Sequence, residues 1–282
     1  MKRIAVIGAG AMGTGIAYQA ARFGLEVNLN DLKQEFINNG ISKIKDMVKT
    51  GVERKKLDLK AAKSILDGIH PIVDLKEAVK DVDMVVEAIF ENMKVKKELF
   101  GKLDEYANPR TILATNTSSL SVTEIATATK RPEKVIGTHF FNPVYTMKLV
   151  EIVLGAKSSE ETIETAIEFS KQLDKTPVKV KDSPGFIVNR ILGALMGEAI
   201  KILQDGLASG RDIDTAMQLG ANHPVGPLTL ADFVGLDIAA ATANTLHSGL
   251  GDCYATPKLL LEKVEKGELG MKSGKGFFEY TE

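Results

Sequence analysis

Apolar and polar residues along the first thirty positions fall into three textures. Ile4-Ala5-Val6-Ile7 is apolar on both faces, as a strand buried in a parallel sheet must be. From Met12 to Phe23 the apolar positions recur at helical spacing, and a second strand then runs to Asp31. Lys33 to Gly51 places Phe36, Ile37, Ile41, Ile44, Met47 and Val48 mostly three and four apart, which predicts a helix; Leu57 to Leu66 predicts a shorter one. Short or apolar runs at Ile69 to Val73, Val82 to Ile89, Thr111 to Thr115, Val135 to Phe140, Leu149 to Val153 and Val178 to Val180 read as strands. Helical patterns at Glu91 to Tyr106, from near Ser121, and at Glu160 to Leu173 separate several of them.

After Asp182-Ser183-Pro184-Gly185 the strand-like runs stop. Helical spacing governs Phe186 to Leu203, Ile213 to Leu219, Ala231 to Leu246 and Pro257 to Lys266. The two textures predict an α/β fold over 1–183, a Rossmann-like doubly wound and mostly parallel sheet, followed by an all-helical domain over 184–282. Phe186, Ile187, Ile191, Leu192 and Leu195 leave the helical domain rich in apolar surface, so it is expected to pair subunits in a homodimer.

Composition mainly excludes. A chain of 282 residues with 44% hydrophobic content can bury two sizeable cores. Its 36 Lys and Arg nearly cancel 37 Asp and Glu, so no global field marks a nucleic-acid or membrane binder. The single cysteine, Cys253, can form neither an internal disulfide nor a cysteine metal cluster. His223 and His247 lack a second ligand at metal-binding spacing, so no metal is expected, and His70 reads as part of the fold. Met1-Lys2-Arg3 before an apolar run has the look of a signal peptide, but the run continues as an amphipathic helix with Gln19 and Arg22. No stretch approaches eighteen consecutive apolar residues, and the expected location is cytoplasmic.

The candidate chemistry starts at the first turn. Gly8, Gly10 and Gly13, with Ala11 and Met12 among them, stand between strand and helix. Gly8 permits the tight turn, Gly10 lets the backbone approach a pyrophosphate, and Gly13 allows close helix–strand packing. The phosphates would meet N–H groups at the helix N-terminus. Asp31, eighteen positions after Gly13, can accept hydrogen bonds from an adenosine ribose and repel a 2′-phosphate, which favours NAD(H) over NADP(H). In an open parallel sheet ligands gather beyond the carboxyl ends of the strands, so the loops at Gly8, Glu91, Asn116-Thr117-Ser118 and His139 should share one crevice. A histidine there can move a proton while a hydride leaves the same carbon, and Glu151, twelve residues later, can orient it. From spacing alone a satisfied structural histidine is an equal reading of His139.

Longer motifs extend through the chain: GAGAMGTGIA at 8–17, VVEAIFENMKVKKELF at 85–100, ATNTSSL at 114–120, HFFNPV at 139–144, MKLVEIV at 147–153, DSPGFIVNRI at 182–191, and the tail KSGKGFFEY. In these the chain resembles the L-3-hydroxyacyl-CoA dehydrogenase family, of the bacterial 3-hydroxybutyryl-CoA dehydrogenase type. The resemblance implies reversible, NAD-dependent interconversion of (S)-3-hydroxyacyl-CoA and 3-oxoacyl-CoA, with an acyl-CoA substrate. It implies His139 and Glu151 as the catalytic pair, Ser118 bonding the reacting 3-oxygen, and Asn189 reaching the site from the helical domain. For NAD it implies the glycine loop, Asp31, Glu91, Lys96, Asn116, Ser118, Asn142 and Lys272. The CoA end aligns ambiguously, and the basic cluster Lys49, Arg54, Lys55 and Lys56 supplies its candidates. Tyr145-Thr146 stands where relatives usually carry another proline, which bears on acyl-chain fit. Two rivals remain at this point: a small 3-hydroxyacid dehydrogenase, whose family uses a catalytic lysine, and an NAD-binding protein without turnover.

Overall fold

The computed structural model describes residues 1–280. The chain forms two compact units, Met1–Asp182 and Ser183–Glu282. Unit 1 is built on an eight-stranded sheet: β1 (Arg3–Ile7), β2 (Glu26–Asn30), β3 (Ile69–Pro71), β4 (Met84–Glu87), β5 (Ile112–Thr115), β6 (Val135–Phe140), β7 (Leu149–Leu154) and β8 (Thr176–Lys181), in the spatial order β3-β2-β1-β4-β5-β6-β7-β8. Every neighbouring pair is parallel except β6 with β7, which run antiparallel. The expected α/β class and mostly parallel sheet are therefore present, and the order reverses beside β1, the strand that leads into the glycine turn.

Seven helices belong to this unit: α1 (Ala11–Arg22), α2 (Gln34–Glu53), α3 (Leu59–Asp67), α4 (Leu75–Val79), α5 (Met93–Tyr106), α6 (Val122–Ala126) and α7 (Glu160–Gln172). Ile4 and Val6 of β1 and Val27 and Leu29 of β2 pack with Ile16, Ile37 and Ile44 from α1 and α2, all fully buried, in one core. Side-chain caps set several helix starts. Asn92 accepts the Val95 N–H at 3.1 Å to open α5, and Ser121 accepts the Glu124 N–H at 3.1 Å to open α6. Asp182 in turn accepts from Ser121 Oγ at 2.7 Å and from the Thr123 N–H at 2.8 Å. β8 is three residues longer than its apolar pattern indicates. It is an edge strand containing Pro177 with no buried residue, where interleaved lysines leave no continuous apolar run to recognise.

Unit 2 is helical: α8 (Val188–Gln204), α9 (Gly210–Gly220), α10 (Pro227–Val234), α11 (Leu236–Leu250) and α12 (Lys258–Glu265), with short 3₁₀ turns at Asp252–Tyr254 and Met271–Ser273. The helix expected over Ala231 to Leu246 is two helices. Gly235 between them has φ +101, a conformation that stops α10 and redirects the chain into α11 while the apolar spacing carries on. Ile200, Leu228, Ala231, Leu236 and Leu260 make the core. Asp232, almost fully buried, pins the tail by accepting the Phe277 and Phe278 N–H groups at 2.8 and 2.9 Å and the Tyr280 hydroxyl at 2.9 Å. Among the described residues no helix is long and apolar enough to cross a membrane.

Candidate active site

The β1–α1 turn has the shape a pyrophosphate needs. A Cβ on Gly8, whose φ is +106, would lie 2.6 Å from Ala88 O, and one on Gly13 would lie 1.8 Å from Gly8 O. Both positions therefore require glycine for packing. A Cβ on Gly10 would meet nothing within 4 Å, so backbone and open space face each other where α1 begins. Gly10, as its N-cap, offers no side chain to the first-turn N–H groups, which leaves them to an anion. Asp31 stands just past β2. Its carboxylate accepts the Ala9 N–H and the Leu32 N–H, each at 2.7 Å, so it shapes the glycine loop as well as offering oxygens to a ribose. The dinucleotide fits these residues.

Two strands along, beyond β4, lies a buried polar network only partly expected. Lys96, fully buried on α5, donates to Glu87 Oε1 at 2.6 Å and lies 3.3 Å from Glu91 Oε2. Glu87, at the end of β4, also accepts the Ile89 N–H at 2.8 Å and the Thr115 hydroxyl at 2.7 Å. Glu91 Oε1 accepts from the Thr117 hydroxyl and from the Ser118 and Ser119 N–H groups, the latter two at 2.9 and 3.1 Å. Burial raises the Glu91 carboxyl, but the Lys96 charge and these donors outweigh it and hold it below its ordinary value. The network thus joins Glu91, Lys96 and Ser118. Glu87 and Thr115 are additions that sequence reading passed over, and Thr117 joins them from the loop already expected at the crevice; the signal was a carboxylate closing an otherwise apolar strand.

The third cluster sits on the antiparallel junction. The β6–β7 register sets His139 directly opposite Glu151, and His139 Nδ1 lies 2.7 Å from Glu151 Oε2. Both side chains are buried, at 5% and 1% exposure for the two residues. An ionised Glu151 carboxylate can only accept, so against it Nδ1 is the donating nitrogen of the ring. Phe141 tilts against the imidazole, its centroid 4.4 Å away. Asn116, following β5, accepts the Phe140 N–H through its side-chain oxygen at 2.9 Å, tying the end of β6 to the end of β5. The peptide bond between Asn142 and Pro143 is cis.

Of the basic candidates, Arg54 and Lys56 line a cleft of about 650 Å³ together with Arg22, Tyr145, Lys148 and Asp46. Lys49 is exposed on α2 within 4.0 Å of Glu53, and Lys55 occupies a left-handed turn with φ 54. Arg22 and Lys148 were not legible as partners of this cluster, since they come from α1 and the connection just before β7. In unit 2, Asn189 opens α8, and Lys272 donates to both Asp237 oxygens at 2.6 and 2.7 Å. His70 pairs with Glu26, and His247 lies 3.0 Å from Asp252.

A reversing parallel sheet with this glycine turn and a distal acid defines a dinucleotide-binding α/β protein. Residues 3–183 match the family model of the 3-hydroxyacyl-CoA dehydrogenase NAD-binding domain, and residues 185–280 that of the 3-hydroxyacyl-CoA dehydrogenase C-terminal domain. The chain belongs to the 3-hydroxyacyl-CoA dehydrogenase family and is an NAD-dependent oxidoreductase of it. It is 46% identical to the 3-hydroxybutyryl-CoA dehydrogenase of Clostridioides difficile, covering 99% of each chain. It is 42% identical to the human mitochondrial hydroxyacyl-coenzyme A dehydrogenase, over 99% of this chain and 91% of that one. The crystal structure of (S)-3-hydroxybutyryl-CoA dehydrogenase from Ralstonia eutropha superposes with a TM-score of 0.97 at 38% identity, covering 100% of both chains.

Proposed function

We propose that the protein interconverts (S)-3-hydroxybutyryl-CoA and acetoacetyl-CoA, with His139 as the acid-base group and Glu151 as its partner. The buried, register-paired imidazole and carboxylate at 2.7 Å carry this reading. NAD, when bound at the glycine turn, supplies the acceptor for the hydride that leaves C3. As that hydride departs, His139 Nε2 takes the proton of the 3-hydroxyl, and the imidazolium so formed rests against the Glu151 carboxylate. In the reverse direction the same nitrogen returns the proton to the 3-oxygen. Glu151 keeps the tautomer and orientation fixed without itself gaining the proton.

Ser118 donates to the reacting oxygen in this scheme, and its backbone N–H is steadied by Glu91. The resemblance further implies a catalytic role for Asn189 and an NAD contact for Lys272, whose ammonium is paired with Asp237. The cleft lined by Arg22, Arg54, Lys56 and Lys148 suits the phosphates of CoA, because its four cations outnumber the lining carboxylates Asp46 and Asp174, the latter paired with Lys148, and the same cleft is bordered by Tyr145 and Thr146 from the loop that follows His139. The helical unit exposes Ile191 and Ile238, more than half accessible, which supports a homodimer formed through it. The test is NADH oxidation with acetoacetyl-CoA and with free acetoacetate. Turnover only of the thioester supports the reading; equal turnover of the free acid refutes the role of the basic cleft, and none with either refutes the function.

A further inference from the structure

The loop from Phe141 to Met147 carries Asn142, follows His139 and borders the basic cleft, yet its residues Tyr145, Thr146 and Met147 are exposed. Something outside the loop has to fix its shape. One contact comes from α1 and one is internal to the loop. Val144, 2% exposed, sits on α1 at Gly15, where a Cβ would come within 2.9 Å of it. The Thr146 and Met147 N–H groups both donate to Pro143 O, at 3.0 Å each.

The third contact is a cation. Lys175, in the turn between α7 and β8, is 6% exposed, and its ammonium donates to Val144 O and, at 2.9 Å, to Met147 O. Around it the same turn is strapped to the loop's far end: the Thr176 N–H donates to Lys148 O at 2.7 Å, and Lys148 Nζ pairs with Asp174. The carboxylate of the adjacent Asp174 is thus engaged by Lys148. Burial lowers the Lys175 ammonium from its ordinary value to about 8, the Lys148 charge pushes in the same direction, and Asp174 opposes it. A charge placed where burial disfavours it, bonded to two carbonyls of one loop, costs more than an apolar plug would and fixes that loop's geometry in return.

We propose that Lys175 is a positioning residue: it clamps the 141–147 loop through Val144 O and Met147 O in the shape that presents Asn142 and the end of β6 to the bound molecules. Its importance for turnover rests on the reading of His139 given above, whereas the clamp itself does not. Lys175→Met keeps most of the length and loses every side-chain donor; Lys175→Arg keeps donors. Val79→Ala, buried in α4 on other strands, serves as a control for lost stability.

Hydrogen exchange measured by mass spectrometry on a peptide covering 141–148 should quicken about tenfold or more in Lys175→Met, and less in Lys175→Arg, because opening a local unit exposes its amides. With NADH and acetoacetyl-CoA, kcat/KM should fall roughly tenfold to a hundredfold, the scale of loss from misplacing groups by about 1 Å. Recovery in Lys175→Arg is expected, with no comparable loss in Val79→Ala. Unchanged exchange in the 141–148 peptide overturns the clamp. Unchanged kcat/KM, or an equal loss in Val79→Ala, overturns the positioning role. If the unmodified protein does not turn over acetoacetyl-CoA, the functional reading fails by itself, and the exchange comparison still decides whether Lys175 holds the loop.

Discussion

Replacing Glu151 with glutamine isolates charge from geometry. The side chain keeps its shape in a site of 1% exposure, and the amide oxygen can still accept from His139 Nδ1, so ring orientation survives. What disappears is the negative charge that faces the imidazolium. With charge centres about 4 Å apart and an effective dielectric constant near 20, that attraction is about 4 kcal/mol. At about 1.4 kcal/mol per tenfold, the ceiling on the loss is on the order of 10³-fold. The effect belongs to the direction in which the imidazolium forms during the step, oxidation of the hydroxyacyl-CoA, and should appear in kcat more than in KM. His139→Gln removes the proton carrier itself and should lose about 10²- to 10⁴-fold. The assay is steady-state NADH formation from 3-hydroxybutyryl-CoA, beside NADH affinity by fluorescence and melting temperature. A Glu151→Gln enzyme within threefold of the parent, folded and cofactor-binding, would show that the carboxylate only packs. Near-normal kcat in His139→Gln would remove the pair from the mechanism.

Other outcomes follow from the neighbouring groups. NADH should be preferred over NADPH, and Asp31→Ser with Leu32→Arg should shift preference toward NADPH while weakening NADH, since Asp31 also holds the Ala9 N–H; equal kcat/KM for both cofactors in the unmodified protein refutes this. Glu87→Gln should destabilise unit 1 by about 2 kcal/mol, less than the 3–5 typical of a broken buried pair, because Glu91 lies 3.3 Å from the same ammonium; a change within 0.5 kcal/mol by urea titration argues against the network. The Glu91 carboxyl titrates below its unfolded value, so its stabilising contribution is present above that value and lost as pH falls through the folded one. Glu91→Gln should therefore flatten the acid limb of melting temperature against pH, and an unchanged limb refutes the assignment. Light scattering at micromolar concentration should give a dimer, and a monomer mass counts against pairing through the helical unit.

Much of this was legible because the strands of the sheet centre are mainly apolar and the longer helices repeat their apolar residues at three and four. The glycine turn, Asp31 and the strand-end positions of Asn116 and His139 could be read from such local signals. Strand direction could not: the apolar run of Leu149–Leu154 looks alike whichever way it lies, so only the structure reveals that His139 and Glu151 face each other across antiparallel neighbours. Helix α4 is five residues long, too short for a periodicity to show. Gly235 breaks a helix without disturbing its apolar spacing. Lys96 and Lys175 were invisible as interior residues, because a lysine's burial depends on partners that come from distant segments.

The reversed strand has a consequence for how such a protein can diversify. His139 and Glu151 are neighbours within one short hairpin, so under the proposed mechanism the alignment of proton carrier and carboxylate is inherited with one short stretch of chain rather than assembled from remote parts. The hairpin's connection, where Tyr145 and Thr146 face outward, lies outside the ladder. Under that mechanism, substitutions there would retune which acyl group is accepted while the His139–Glu151 pair passes unchanged from one descendant to the next.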